Sequence, residues 1–384
     1  MSVEIGTVVC PVEKWDPRKS GDGTITYIDL SSVDRDTKVV SEPSVIEAAD
    51  APSRARQLVA SGDVLVSTVR PNLNAVAVVP PELDGATAST GFSVLRAVEG
   101  KLDSTYLFHW AIAPAFVADM VRKATGASYP AVSDKIVKAS RIPLPPIEEQ
   151  RRIAAVLDAA DELRAKRRHG LRLVRELENA MFAVFVESHA SGETAMLGDV
   201  AERVTVGHVG PTSEHFTDDG VAFIRTGNIG DGTIIRDDLR YVTPSFHATL
   251  AKSTLREGDL LISRVISDEI RAAVVPPDLD GANCANAIIV RPGQRTSATF
   301  LLGLLRLARS QSSLLGRRVG SAQSVVNTKV VKEWHVPVPP RAALEALDHS
   351  YRRLRSLEAR HLASLESITA LFSSLQQRAF RGEL

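Results

Sequence analysis

Cysteine is scarce in this sequence, and its two copies stand far apart. Cys10 and Cys284 form no C-x-x-C pair, so the sequence predicts neither a disulfide framework nor a zinc site. Long apolar runs are also missing, since no stretch reaches the roughly 18 consecutive apolar residues that a membrane-spanning helix needs. Residues 1–15 lack the basic start and apolar stretch of a secretory signal. We therefore expect a cytoplasmic protein that does not contact a membrane.

The sequence has no excess charge of either sign. Its 46 lysines and arginines balance 46 aspartates and glutamates, so no overall positive field is available to attract a polyanion. Composition alone therefore does not indicate nucleic-acid binding. A DNA-binding role requires basic residues clustered on one face, or a partner that supplies part of the contact with the phosphates.

Motifs of catalysis are absent as well. The sequence contains no G-x-x-x-x-G-K-[ST], no G-x-G-x-x-G and no H-E-x-x-H. No Asp or Asn stands before Pro-Pro-Tyr or Pro-Pro-Phe, the arrangement with which amino-methyltransferases hold a flipped base. The nine histidines are scattered without metal-ligand spacing. We therefore predict no catalytic residue, no metal site and no bound cofactor in this chain.

A duplication is the most informative feature that the sequence does contain. Residues 62–86 (GDVLVSTVRPNLNAVAVVPPELDGA) align without a gap to residues 258–282 (GDLLISRVISDEIRAAVVPPDLDGA). Residues 125–146 likewise align to residues 319–340, and both segments end in P-x-P-P. The alternating β-branched residues of each copy predict strands, and the segments 103–123 and 297–318 have helical spacing. Each copy is therefore expected to form a mixed α/β domain.

A long helical pattern follows each copy directly after a Pro-Pro pair. Its apolar residues recur at steps of three and four, in the first helix at Ile153, Val156, Leu157, Ala160, Leu163, Leu171, Val174, Leu177, Met181 and Phe185. A helix with a single apolar stripe needs a partner, so we expect the two helices to pair as an antiparallel coiled coil. The alternative is that each helix packs into the core of its own domain. The predicted fold class is α+β, with similar domains at 1–146 and 191–340 and long helices at 147–190 and 341–384.

The order of domain, helix, domain and helix resembles that of Type I restriction-modification DNA specificity subunits. Residues 141–163 (RIPLPPIEEQRRIAAVLDAADEL) are similar to that family's junction between a target recognition domain and a spacer helix. Residues 374–384 (SLQQRAFRGEL) are similar to its typical closing stretch. The resemblance implies a non-catalytic subunit whose two target recognition domains each read half of a bipartite site in double-stranded DNA.

The resemblance also implies partner proteins and cofactors. The long helices would dock two methyltransferase (M) subunits that use S-adenosylmethionine, and restriction (R) subunits that use ATP and Mg²⁺ would join the complex. The competing hypothesis is a protein-interaction scaffold that does not bind DNA. It would explain the long helices and the neutral charge, but it gives no reason for two similar domains with divergent loops.

Polar residues beside the repeated motifs are the candidate DNA contacts. Arginine, asparagine and glutamine can read base edges, and lysine can contact phosphates. The candidates are Arg70, Tyr129, Lys135, Arg225, Asn228, Arg264, Gln323 and Lys329. Tyr129 and Gln323 stand at equivalent positions of loops that differ between the copies, which suits two different half-sites.

Overall fold

The structure is a computed structural model that describes residues 2–20, 23–266, 270–307 and 324–384. The chain forms two compact units, of which the first comprises Met1–His169 with Leu362–Leu384 and the second comprises Gly170–His361. Each long helix is thereby shared between the units, and the domain limits expected at 146, 190 and 340 stay a prediction. Within the described ranges, no helix combines the length and the apolar composition needed to cross a bilayer.

Among its described residues, the first unit contains two four-stranded sheets and one two-stranded sheet. The first sheet has the strand order Val9–Cys10, Phe92–Ala97, Val64–Ser67 and Val76–Val78, and the second has the order Ser44–Glu47, Thr24–Ile28, Thr87–Ser89 and Ala55–Leu58. The third pairs Ser2–Glu4 with Arg141–Pro143. The short helices are Pro17–Ser20, Ser104–Ala111, Pro114–Lys123 and Asp134–Lys138. Val64–Ser67 is buried along its whole length because apolar clusters cover both faces of the sheet: Val64 and Val66 belong to one cluster and Leu65 to another.

The second unit repeats this arrangement with small differences. Its five-stranded sheet has the order Ala201–Val206, Ala287–Pro292, Leu260–Ser263, Ala272–Val274 and Asp231–Gly232, and its four-stranded sheet has the order Phe216–Thr217, Arg240–Val242, Val221–Ile224 and Asn283–Cys284. Two further pairs join Thr194–Met196 to His335–Pro337 and Val265–Ile266 to Ser324–Val325. The short helices are Leu197–Val200, Pro244–Thr249, Ala298–Leu305 and Thr328–Lys332.

An ion pair with a buried aspartate marks the equivalence of the two units. Arg96 lies 2.7 Å from the carboxylate of Asp63, and Arg291 lies 2.8 Å from that of Asp259. Both aspartates directly precede the central strand of their sheet. The duplication seen in the sequence therefore corresponds to a duplicated scaffold, which confirms the predicted pair of similar mixed α/β domains.

Two long helices connect the parts of the fold. The first long helix spans Ile147–His189 and the second long helix spans Arg341–Arg381. Both begin after a Pro-Pro pair, where a residue without a backbone N–H costs no helical hydrogen bond. Glu148 and Glu149 place negative charge in the first turn of the first long helix, at the positive end of its dipole.

In the first unit, the start of the first long helix packs against the end of the second. Arg152 donates a hydrogen bond of 2.8 Å to the backbone oxygen of Leu384. About three turns further along the first long helix, the Cζ atom of Arg164 lies 4.5 Å from the centre of the Phe372 ring. Residue numbers rise along one helix while they fall along the other, so the helices are antiparallel in this unit.

The second unit contains the matching pair of helix halves. Arg175 lies 3.3 Å from the carboxylate of Glu358, and the rings of Phe182 and Tyr351 are 5.8 Å apart. The direction is again antiparallel. The predicted antiparallel pairing of the two long helices is confirmed.

The predicted apolar seam is wrong at two positions. Leu163 and Leu177 are 49% and 56% exposed, whereas Glu178 is 2% exposed. Glu178 is stabilised in the seam because Arg306 and Arg355 lie 2.6 Å and 3.4 Å from its carboxylate. Helical periodicity does not show that two arginines pair with Glu178. It therefore predicted buried leucines at positions 163 and 177 instead of a buried glutamate at 178.

Candidate nucleic-acid interface

A turn and a loop meet beyond the buried strand Val64–Ser67. The backbone N–H of Val132 donates to the oxygen of Thr68 at 2.9 Å, and the N–H of Arg70 donates to the oxygen of Pro130 at 2.7 Å. Two further backbone hydrogen bonds between residues 125 and 131 close the loop. Residues 68–74 and 125–132 therefore form one surface, which we call the first loop pair.

The first loop pair brings two predicted site residues, Arg70 and Tyr129, into contact. The Cζ atom of Arg70 lies 4.4 Å from the centre of the Tyr129 ring, which is a cation–π contact. Both side chains are exposed, Tyr129 to 68%. Arg70 has a left-handed backbone with φ of 51°, a conformation that costs a non-glycine residue about 1–3 kcal/mol. The hydrogen bond to Pro130 helps to hold Arg70 in this conformation.

Sequence reasoning missed two residues that support the turn of Arg70. The Nζ atom of Lys38 donates to the backbone oxygen of Asn74, and Asn74 Nδ2 donates to the oxygen of Ile112 at 3.2 Å. Burial lowers the pKa of Lys38. Asn74 carries a local signal, because asparagine tolerates the left-handed backbone that it adopts here. Lys38 carries none, since it contacts the turn from 36 residues away.

Arg264 belongs to the equivalent surface of the second unit. The N–H of Val326 donates to the oxygen of Arg264 at 3.1 Å, which repeats the bond between Val132 and Thr68. Residues 264–266 and 324–326 thus form a second loop pair. The side chain of Arg264 is partly buried, and Gln323 lies outside the described residues.

Lys135 and Lys329 occupy equivalent positions in the short helices that follow the loop pairs. The side chain of Lys329 is 81% exposed, with Nζ 3.8 Å from the Glu333 carboxylate. Lys135 is exposed as well, while its neighbour Asp134 accepts a hydrogen bond of 2.6 Å from Ser93. Both lysines are open to a phosphate group, and their role as phosphate contacts stays a prediction.

Asn228 is engaged inside the protein. It is 2% exposed, its Oδ1 accepts from the N–H of Arg225 at 3.0 Å, and its Nδ2 donates to the oxygens of Ile235 and Asp237 at 3.1 Å and 3.2 Å. This burial contradicts the predicted base contact, because the amide already bonds to the backbone of its own turn. Asn228 stabilises the turn instead.

Arg225 is partly buried and paired with a carboxylate. Its guanidinium lies 2.7 Å from Asp238, and this hydrogen bond helps to hold the pKa of the Asp238 carboxyl below its usual range. A DNA contact by Arg225 would have to compete with that pair.

The first loop pair offers groups for recognition. The guanidinium of Arg70 can donate to a base edge or a phosphate, and the ring of Tyr129 can stack, while Lys135 in the following short helix adds an ammonium that can neutralise a phosphate. Within the described ranges, no three histidine, cysteine, aspartate or glutamate side chains are grouped so that they could hold a metal ion.

Known proteins resemble both this surface and the whole fold. A family model described as Type I restriction modification DNA specificity domain matches residues 57–171, a segment that contains the first loop pair. A chain from a solved structure, described as the structural basis of complex assembly and conformational transition of the type I R-M system, is 27% identical with a TM-score of 0.63. That match covers 100% of this chain and 98% of the other.

Two curated proteins are similar over much of the sequence. The Type I restriction enzyme MjaVIII specificity subunit of Methanocaldococcus jannaschii is 23% identical over 279 residues, which is 67% of this chain and 64% of that protein. The Type I restriction enzyme EcoBI specificity subunit of Escherichia coli is 22% identical over 329 residues, which is 76% of this chain and 68% of that protein. The match to the archaeal protein therefore spans slightly less than two thirds of its length.

Proposed function

Because this chain belongs to the family of Type I restriction-modification DNA specificity subunits, we propose that it reads a bipartite sequence in double-stranded DNA. Each unit reads one half-site through its loop pair. The observation that carries this proposal is one scaffold present twice with different residues at equivalent loop positions. Arg70 and Tyr129 of the first unit align with Ile266 and Gln323 of the second. A shared scaffold with different contact residues suits two different half-sites.

Exchange of most of the first unit for that of a relative tests this proposal. Replacing residues 1–140 by the matching segment of a relative should change one half of the methylated motif in the genome and leave the other half unchanged. A motif altered in both halves would contradict independent reading. A complex that binds selected and random duplexes equally at every salt concentration would instead indicate a scaffold without sequence recognition.

In this proposal the long helices dock two methyltransferase (M) subunits. An apolar groove of about 570 Å³ in the second unit is lined by Leu177, Met181 and Val184 of the first long helix and by Leu347 of the second. Val184 is 67% exposed. Exposed apolar patches mark interaction sites because their burial is favourable. We assign the groove to an apolar segment of one M subunit.

A charge placed in the groove should weaken this docking. Val184→Asp should reduce the amount of M subunit that co-purifies with the chain, because the carboxylate would be buried against apolar groups. Ala183→Asp is the matched control, since Ala183 is exposed on the same helix but does not line the groove. Equal retention of M subunits by both variants would show that the M subunit does not dock in this groove.

We further propose that this chain has no catalytic site and acts in the cytoplasm. The two M subunits would hold S-adenosylmethionine, and restriction (R) subunits would hold ATP and Mg²⁺. Incubated with S-adenosylmethionine and duplex DNA, the purified chain should transfer no methyl group, and added M subunits should start the transfer. Methylation by a rigorously pure chain would contradict this part of the proposal.

A further inference from the structure

We propose that Arg70 reads a guanine in the half-site of the first unit and that Tyr129 holds it in its reading conformation. This inference rests on the proposed function, because it requires the first loop pair to meet duplex DNA.

The contacts of Arg70 leave its guanidinium available to a ligand. Among the described residues, Arg70 forms no ion pair, and its side chain lies against the face of the Tyr129 ring. Arg225 and Arg122 differ in this respect, because they pair with Asp238 and Asp119. A guanidinium stacked on a ring keeps its N–H groups in its own plane, where they point past the ring edge.

The backbone around Arg70 is fixed as well. Its N–H is bonded to Pro130, and its left-handed conformation leads into a turn that Lys38 and Asn74 hold at the other end. An arginine ordered before binding loses less conformational freedom when it binds. Strain retained at an exposed position points to function rather than to folding.

Guanine is the base that fits this group. In the major groove it presents O6 and N7, two acceptors side by side that match two N–H groups of one guanidinium. Adenine presents one acceptor and one donor there, so it can accept from only one of the two N–H groups. A phosphate also binds arginine in this way, and the experiment therefore has to separate base from phosphate.

The second unit has no equivalent pair. The positions that align with Arg70 and Tyr129 are occupied by Ile266 and Gln323. Guanine recognition by an arginine stacked on a tyrosine is therefore assigned to the first unit alone. The half-site of the second unit serves as an internal control.

The test uses the full chain in complex with M subunits and duplexes carrying the motif found by genome methylation sequencing. Each guanine of the first half-site is replaced in turn by 7-deazaguanine, which lacks the N7 acceptor. At one position we expect the unmodified chain to lose affinity, within the range of about 5- to 150-fold that one bidentate contact provides. Arg70→Ala removes the guanidinium, so its affinities for the two duplexes should differ by less than about twofold.

Variants of Tyr129 test the second role. Tyr129→Phe keeps the ring and should keep the discrimination, whereas Tyr129→Leu should lower it while leaving the salt dependence of binding unchanged. Arg122→Ala is the control for a general arginine effect, because the side chain of Arg122 is 77% exposed and paired with Asp119.

Two results would overturn the inference. One is retention of the 7-deazaguanine effect in Arg70→Ala, and the other is an equal loss of affinity of Arg70→Ala for every duplex tested, which would identify a phosphate contact. Absence of any sequence preference in the unmodified complex would instead contradict the proposed function itself.

Discussion

Each unit buries an aspartate against an arginine beside its central strand. In the second unit, Asp259 is 1% exposed and accepts hydrogen bonds of 2.9 Å and 2.8 Å from the guanidinium of Arg291. It also accepts from the backbone N–H of Arg256 at 2.8 Å. Loss of the carboxylate charge would leave Arg291 without its counter-ion in a buried place.

We expect Asp259→Asn to lower the free energy of unfolding by about 3 kcal/mol, measured by urea denaturation. The control is Glu202→Gln, which removes an ion pair of 3.5 Å with Arg256 in which both side chains are more than half exposed. An exposed pair of this kind contributes less than about 1 kcal/mol. Similar losses in the two variants would show that burial does not determine the effect.

Cys284 provides a prediction about pH. Its burial raises the pKa of the thiol from 9.0 to about 12. Because the folded pKa lies above the unfolded one, the contribution of Cys284 to stability is complete below pH 9.0 and falls as the pH rises toward 12.

The same burial should protect Cys284 from alkylation. At pH 8 we expect iodoacetamide to modify Cys284 only after unfolding in urea, as measured by mass spectrometry of its peptide. Cys10 is only partly buried and reports the reactivity of the other thiol in the same sample. Modification of native Cys284 at the rate found in urea would contradict the buried placement.

At the scale of elements, a glycine sets how closely a short helix packs against the first long helix. A Cβ atom on Gly303 would lie 2.4 Å from the ring of Phe182. Overpacking costs about 1–3 kcal/mol, and alanine returns about 1 kcal/mol of helix propensity. Gly303→Ala should therefore give a net loss of up to about 2 kcal/mol in thermal or urea unfolding.

Gly170 within the first long helix is the matched control. There a Cβ atom would lie 2.8 Å from the imidazole of His361, a side chain that can rotate away. Gly170→Ala should therefore destabilise the protein less than Gly303→Ala. The reverse order would mean that the space beside Phe182 is not limiting.

Elements defined by local patterns could be predicted from the sequence. The strand Val64–Ser67 lies in a segment of β-branched residues that is present in both copies. The two long helices show apolar residues at steps of three and four. The strand order could not be predicted, because it depends on pairings between distant segments, such as the parallel pair of Thr24–Ile28 with Thr87–Ser89.

The candidate site was predictable to a similar degree. Comparison of the two copies pointed to Arg70 and Tyr129, yet their contact depends on a left-handed turn that no local pattern specifies. Asn228 was misread because its polar type suits a base contact, while its burial follows from the turn it closes. The support from Lys38 is non-local and left no sequence signal.

At the scale of the molecule, neutrality predicts how the chain responds to salt. Because its 46 basic residues are balanced by 46 acidic ones, we expect the M subunits to supply most of the phosphate contacts and therefore most of the counter-ion release. We expect the affinity of the isolated chain for duplex to change little with salt concentration, and the complex with M subunits to show a much steeper dependence. Fluorescence anisotropy across a salt series measures both slopes, and equal slopes would mean that this chain supplies most of the phosphate contacts.

The division of each long helix between the units has a consequence during translation. The core of the first unit includes Phe372 and Ala379 together with Tyr106 and Leu157, whereas the second unit is one continuous segment, Gly170–His361. The ribosome therefore makes the whole second unit before it makes the residues that complete the first. Until then the part of this cluster that Phe372 and Ala379 cover stays open, and a nascent chain in this state exposes apolar surface to chaperones or to other copies. Although its synthesis begins first, the first unit can therefore be completed only after the whole second unit has been made.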